Sequence, residues 1–208
     1  MKINTKKTKI IPFNFTRKYD FIPNYNIDGQ KLEVVYEAKL LGVMIRSDCK
    51  WSSNTTYIVN KAKSRLWFLR RLKALGASEE TLIDMFRSFV RSALEMAVPL
   101  WAGALTQADI NSIERVQKVA MKMIQGDQYF DYVQSLEDLN LKSLDTRRNK
   151  ICLKFAKKCV KDDKFKHWFP KKVKISPRTE EKFIRPPWNT KRYLTSSIPH
   201  LINILNKN

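Results

Sequence analysis

Apolar positions along the chain change their spacing near residue 50. Before that point, short apolar runs are broken by Pro, Asn and Gly, which is typical of strands and tight turns. After it, apolar residues recur every three or four positions, which indicates amphipathic helices. The sequence therefore predicts a mainly α protein, in which a small β-hairpin and strand region precedes a helical bundle.

Three segments of the N-terminal region carry strand signals. Thr8–Phe13 is a short β-rich run, and Pro12 makes it a sheet edge or a strand end. Asp28-Gly29 lies inside residues 25–35 and predicts a hairpin, because this pair can supply the positive φ angles of a type I′ turn. The run Leu40–Ile45 is almost continuously apolar, so it predicts a strand covered on both faces.

Two helices follow. The first is expected from Ser53, with Gly76 as its C-terminal stop. Its buried stripe is Ile58, Ala62, Leu66, Leu69 and either Leu72 or Lys73. Ser78 can cap the second helix, which Pro99 kinks or ends. The second helix is expected to bury Leu82, Phe86, Phe89, Val90, Ala93 and Ala97.

Further helices are expected downstream. A third starts at Thr106 or Asp109, is closed by Gly126, and buries Ile110, Ile113, Val116, Ala120 and Ile124. A short helix over Tyr132–Leu139 precedes a longer one over Leu144–Val160, with Leu144, Ile151, Phe155 and Cys159 inward. Periodicity fails from about Lys164, where an extended basic tail is predicted, although 197–205 can form a last apolar segment that packs back. The predicted divisions are 1–50, 51–126, 127–163 and 164–208.

The net charge of +20 and the pI near 10.0 imply a polyanionic partner. The charge is segregated, because residues 142–208 carry 19 basic and 5 acidic groups whereas 106–141 carry 3 and 6. No apolar run reaches the roughly 18 residues of a spanning helix, and no signal peptide is evident. Neither a membrane nor a small-molecule substrate is therefore expected. An odd count of three cysteines favours a reducing, intracellular compartment, nuclear or cytoplasmic.

Two groups of cations are candidates for phosphate contacts, which hold nucleic acid without reading its sequence. The first helix supplies Lys61, Lys63, Arg65, Arg70, Arg71 and Lys73, and the lysine run at 150–174 supplies Lys150, Lys154 and Lys157. For each of them, a solvated helix face is the alternative interpretation. Trp67 and Phe68 can stack on bases, but beside Leu66 and Leu69 their spacing favours packing in the core.

The order of several motifs closely resembles the C-terminal end of a LINE-class (non-LTR retrotransposon) reverse transcriptase. The motifs are the N-terminal run 1–9 with Lys7, the strand Leu40-Leu41-Gly42-Val43, the patterns Leu-Arg-Arg-Leu at 69–72 and Glu-Arg-Val-Gln-Lys at 114–118, and the end Ser197–Ile202. The resemblance covers essentially the whole chain. It implies a β-rich palm remnant followed by a thumb-like helical bundle.

That resemblance implies further roles. Lys7 would lie near the departing pyrophosphate, and Leu41 and Gly42 would belong to a primer grip. The intact enzyme would use Mg²⁺ held by aspartates upstream of Met1, and a separate palm and fingers chain could complete it. The chain itself has no catalytic pair, because Asp162-Asp163 marks a helix end. The expected role is thus that of an inactive polymerase fragment that binds RNA or an RNA/DNA duplex without sequence specificity.

Two alternatives stay open. The chain can be a non-functional relic or a helical protein-interaction module with no nucleic-acid role.

A zinc site at Cys152, Cys159 and His167 has the wrong spacing and no fourth ligand nearby. We expect no metal and no cofactor in this chain.

Overall fold

A computed structural model describes residues 3–15, 24–171 and 182–207. The chain divides into two compact units, Met1–Tyr57 and Ile58–Asn208. The predicted fold class is confirmed, since small strands near the N-terminus precede a helical bundle. Segments 16–23 and 172–181 lie outside the described residues, and the second includes the middle of the predicted tail and the end of the lysine run.

The first unit contains three pairs of short strands. They are β1 (Lys9–Ile10), β2 (Asn26–Ile27), β3 (Gln30–Lys31), β4 (Glu33–Val34), β5 (Glu37–Leu40) and β6 (Val43–Arg46). Strand β1 pairs with β4 in parallel, whereas β2–β3 and β5–β6 are antiparallel hairpins. The hairpin predicted at Asp28-Gly29 is confirmed, with φ angles of 50° and 75° at these residues.

The prediction of one continuous strand over Leu40–Ile45 is wrong. Leu41 (φ 48°) and Gly42 (φ 87°) form the turn between β5 and β6, and Leu40 pairs with Val43. Leu41 is 94% exposed, and Val43 is the buried residue of β6. The apolar run concealed the turn because a leucine rarely adopts positive φ, so only Gly42 signalled it.

Helix α1 (Ser52–Ala74) is formed as predicted, with Ile58, Ala62, Leu66 and Leu69 buried. Gly76, whose φ is 78°, stops it two residues after Ala74. The Gly76 N–H donates to the Lys73 carbonyl at 3.0 Å, and the Ala77 N–H donates to the Leu72 carbonyl at 3.1 Å. These two bonds are those of a Schellman motif, which satisfies the last carbonyls of a helix.

The second predicted helix is interrupted. It consists of α2 (Glu79–Met85), a π-helical turn (Phe86–Val90) and α3 (Arg91–Leu94). Ser78 caps α2 by accepting from the Thr81 N–H at 3.3 Å. Ala97, expected to be buried, is exposed, because its left-handed conformation (φ 53°) ends this segment before α4 (Val98–Trp101).

The remaining helices of the second unit are α5 (Gln107–Gln125), α6 (Tyr132–Asp138), α7 (Leu144–Lys161), α8 (Lys191–Leu194) and α9 (Ser197–Lys207). Thr106 and Asp109 form a capping box at the start of α5, which confirms one of the two predicted starts. The predicted final apolar segment is also confirmed, since α9 packs against α7 and buries Leu201 and Ile202.

The predicted inward face of α7 is partly wrong. Leu144 and Cys159 are buried as expected, but Phe155 is 40% exposed and Ile151 is half-buried. The buried stripe instead continues through Arg148, Cys152 and Ala156. Arg148 is buried, and its guanidinium donates to Asp145 Oδ1 at 3.0 Å. A buried arginine could not be inferred from an apolar pattern, so the predicted stripe was displaced by one residue.

A polar cluster connects α5, α6 and the start of α7. The Tyr132 hydroxyl donates to Glu114 Oε2 at 2.6 Å and accepts from Gln117 Nε2 at 3.1 Å. Glu114 Oε1 accepts from the Asp145 N–H at 2.7 Å. Burial is the largest cause that raises the Tyr132 pKa, followed by the hydrogen bond to Glu114. The hydroxyl therefore stays protonated and continues to donate.

We predict that Tyr132→Phe destabilises the protein by about 1–2 kcal/mol, because it leaves the buried Gln117 amide without one acceptor and Glu114 Oε2 without its donor. Urea denaturation measures the free energy of unfolding. Tyr129→Phe is the matched control, because the contact of Tyr129 with Lys122 is made by the ring, which phenylalanine retains. Equal stability of Tyr132→Phe and wild type would contradict this role of the hydroxyl.

His200 gives stability a pH dependence. Burial is the larger cause that lowers its pKa, and Lys207 adds to the effect. A histidine whose pKa is lower in the folded state favours folding while it is neutral. Its contribution is present above the unfolded pKa of about 6.5 and is lost as pH falls through the folded pKa. Between about pH 7.5 and 5, the melting temperature of wild type should fall more steeply than that of His200→Asn. Parallel curves for the two proteins would contradict this role of His200.

Candidate nucleic-acid interface

A groove of about 450 Å³ lies between α1 and α5 in the second unit. Lys63, Leu66, Trp67 and Arg70 line it from α1, and Arg115, Val116, Val119 and Met123 line it from α5. Leu66 and Val116 are buried, so the base of the groove is apolar. Lys63, Trp67 and Arg70 share a helix face because they are spaced four and three residues apart. We call this feature the α1–α5 groove.

Three exposed cations surround the α1–α5 groove. They are Lys63 and Arg70 on one wall and Arg115 on the other. Among the residues that the structure describes, no carboxylate lies within ion-pair distance of any of them. Three cations without internal counter-ions attract an external anion, and Arg can bind phosphate through two parallel hydrogen bonds.

The expectation that Trp67 and Phe68 pack in the core is wrong. Trp67 is 58% exposed and Phe68 is 46% exposed, whereas Leu66 and Leu69 are buried. The buried stripe of α1 is narrow, so the two positions between these leucines face solvent. Their rings meet edge to face at a centroid distance of 5.0 Å. Trp67 therefore presents an aromatic surface within the α1–α5 groove.

Other predicted cations of α1 have internal roles. Arg65 lies 4.3 Å from the centroid of the Phe89 ring and also donates to the Phe89 carbonyl. Lys73 donates through Nζ to the Ile124 carbonyl at 3.0 Å, at the end of α5. Lys61 is half-buried, and Arg71 is exposed one residue beyond Arg70. The structure thus brings Lys63 and Arg70 together, with Arg71 adjacent.

Sequence reasoning missed Arg115 as a member of this set. It lies in the segment 106–141, which has 3 basic and 6 acidic residues, and nothing in its neighbours indicated that α5 would face α1. Its position one residue before the buried Val116 was the available signal, because it places Arg115 at the boundary of the buried stripe.

The lysines of α7 do not form one surface. Lys154 and Lys157, with Lys158 and Lys161, surround a groove of about 600 Å³ whose apolar lining is Pro99, Ile151 and Phe155. Lys150 instead lines a separate groove of about 540 Å³ with His200, Asn203 and Lys207. The three predicted lysines, Lys150, Lys154 and Lys157, are therefore divided between two grooves on α7.

The residues named by the reverse-transcriptase resemblance lie in the first unit. Lys7 is exposed in a 3₁₀ turn, and Leu41 and Gly42 form the hairpin tip described above. In the second unit, Asp162 is the C-cap of α7 and Asp163 pairs with Lys166 at 2.7 Å. The interpretation of this acidic pair as a helix end is confirmed.

The cysteines of α7 are buried. Burial raises the pKa of Cys152 to about 11, and burial is also the largest cause that raises the pKa of Cys159. Both thiols therefore stay protonated near neutral pH. Within the described ranges, no group of three or more His, Cys, Asp or Glu is placed to hold a metal ion.

The described helices include none that is both long and apolar enough to cross a membrane.

Comparison with known proteins gives one family match. The model of the family described as alkylated DNA repair protein alkB homolog 8, N-terminal, matches residues 51–83. This range covers α1, the Gly76 turn and the first part of α2. It is less than half of the chain, so it gives a local similarity and no membership. No curated protein and no solved structure matches the chain.

This match contradicts the recognition of a LINE-class reverse transcriptase. The segment expected to be a polymerase thumb is similar to a family whose description names a repair protein and not a reverse transcriptase. The description as an inactive fragment of a retrotransposon polymerase is therefore wrong. The roles of Lys7, Leu41 and Gly42, and the expectation of Mg²⁺, lose the resemblance on which they rested.

We predict that Lys73→Ala lowers the free energy of unfolding by about 1 kcal/mol, because the Ile124 carbonyl loses a charged donor at the C-terminus of α5. Arg71→Ala is the matched control, since Arg71 is exposed on the same helix and should change stability little. Urea denaturation of the two variants compares them directly. A larger loss for Arg71→Ala would contradict the structural role of Lys73.

Proposed function

We propose that the helical unit binds nucleic acid through the sugar–phosphate backbone, without reading sequence. The ligand class is RNA, either as a single strand or as part of an RNA/DNA duplex. The observation that carries this proposal is the set of three exposed cations, Lys63, Arg70 and Arg115, on the two walls of one groove with no internal counter-ion among the described residues.

Two further observations support this proposal. The net charge of +20 gives a field that attracts polyanions over a distance. The family that matches residues 51–83 is described as a DNA repair protein, and the match includes Lys63 and Arg70. An intracellular location, nuclear or cytoplasmic, is part of the proposal, because the odd count of three cysteines favours a reducing compartment and nucleic acid is abundant there.

Salt dependence and charge reversal test this function. Fluorescence anisotropy with a labelled RNA should show affinity falling steeply between about 50 and 200 mM salt, because each phosphate contact releases counter-ions. Arg70→Glu with Arg71→Glu should weaken binding at least tenfold at the lower salt concentration. It should also reduce the slope of log affinity against log salt by the amount expected for about one to two phosphate contacts.

The control for that experiment is Glu79→Arg with Glu80→Arg, which changes the net charge by the same four units in the opposite direction, in the first turn of α2, and should not weaken binding. If affinity hardly changes with salt, or if the Arg70 and Arg71 variant binds as wild type does, the proposed function is wrong. Circular dichroism of each variant checks that the helices are intact.

A second candidate function is a helical protein-interaction module. The specific observation in its favour is the groove on α7, where Phe155 is 40% exposed beside Ile151 and Pro99. Exposed apolar surface of this kind is typical of protein contacts. Under this alternative, charge reversal at Arg70 and Arg71 changes neither the fold nor the protein contact, so the same variants separate the two functions.

A further inference from the structure

We infer that the α1–α5 groove takes an unpaired base against Trp67, so that the helical unit prefers single-stranded nucleic acid to duplex. This inference rests on the proposed function and adds the form of the ligand. It also assigns a role to Trp67 that charge alone does not give.

The first argument is the exposure of the indole. Trp67 is 58% exposed although Leu66 and Leu69 on either side are 6% and 0% exposed. The large aromatic surface of Trp is therefore available to a ligand at the groove. A base can cover this surface whatever its identity, because every base has an aromatic face, and such stacking contributes about 1–3 kcal/mol per base.

The second argument is that neighbouring rings hold the indole in place. Trp67 contacts Phe68 edge to face with an interplanar angle of 85°, and Phe68 contacts Phe89 at 5.5 Å with an angle of 87°. Arg65 covers the Phe89 ring at 4.3 Å. Because this chain of contacts restricts the rings before a ligand arrives, less side-chain entropy is lost on binding.

The third argument is the position of the cations around the ring. Lys63 precedes Trp67 by four residues and Arg70 follows it by three, which is about 6 Å and 4.5 Å along the helix axis. Arg115 lies on the opposite wall. A strand that places one base on Trp67 therefore has cations on both sides of that base for its phosphates. This combination of a stacking ring and a basic groove is typical of single-strand binding.

Duplex nucleic acid cannot use this arrangement fully. Except for the outer faces of its two end pairs, its bases are stacked on one another, so their faces are closed to an external ring. A duplex can reach Lys63, Arg70 and Arg115 through its phosphates but gains nothing from Trp67. The preference for an unpaired strand should therefore depend on Trp67, whereas the electrostatic part of binding should depend on the cations.

The test compares three ligands by fluorescence anisotropy or competition: a single-stranded RNA, a blunt RNA duplex of the same length, and inorganic polyphosphate, which has no bases. Trp67→Ala should weaken binding of the single strand about tenfold and change binding of the duplex and of polyphosphate less than about twofold. Trp67→Phe should keep most of the single-strand affinity, since it retains an aromatic face.

Two controls keep the inference separate from the proposed function. Trp188→Ala removes another exposed tryptophan, 52% exposed and remote in sequence from the groove, and should change no affinity. The triple variant Lys63→Ala, Arg70→Ala, Arg115→Ala should weaken binding of all three ligands. If it does so while Trp67→Ala affects single strand and duplex equally, or neither, base stacking is wrong and the proposed function stands. If wild type binds none of the ligands, both are wrong.

Discussion

Burial of one narrow stripe of α1 is the constraint on which the candidate interface depends. Ile58, Ala62, Leu66 and Leu69 must leave water, and their burial fixes the rotation of the helix about its axis. Once this rotation is fixed, Lys63, Trp67 and Arg70 can only lie along one side of the stripe. The same rotation turns Arg65 toward Phe89 and Lys73 toward the end of α5. Packing, and not charge, therefore decides which cations are free for a ligand.

The helical part of the fold could be read from the sequence wherever apolar spacing and end signals agreed. In α1, the stripe, the Gly76 stop and the Ser78 cap of the next helix reinforce one another, and each is present in the structure. The same agreement located α5. Where a local conformation overrides the pattern, prediction failed. Positive φ at Leu41 divides an apolar run into two strands, and buried Arg148 displaces the inward face of α7.

The candidate site was only partly predictable, for a different reason. Sequence spacing identifies the cations of one helix, but a groove needs two walls, and no local signal states which helix provides the second. Arg115 became part of the site only through tertiary packing. Trp67 was expected in the core but is exposed, because the buried stripe of α1 is narrower than the apolar composition of the helix suggests. The resemblance to a polymerase supplied roles for residues of the first unit, and the family match over residues 51–83 replaced it with a similarity confined to α1 and the start of α2.

The hydrogen bond between Lys73 and the Ile124 carbonyl has an electrostatic consequence for the groove as a whole. A carbonyl oxygen carries only a partial charge, so the ammonium keeps its full unit of positive charge while it holds the end of α5. Its field adds to that of the free side chains at distances within the Debye length, about 8 Å at physiological ionic strength. Under the proposed function, a lysine fixed for architectural reasons would thus also raise the rate at which an anionic ligand approaches, without touching it.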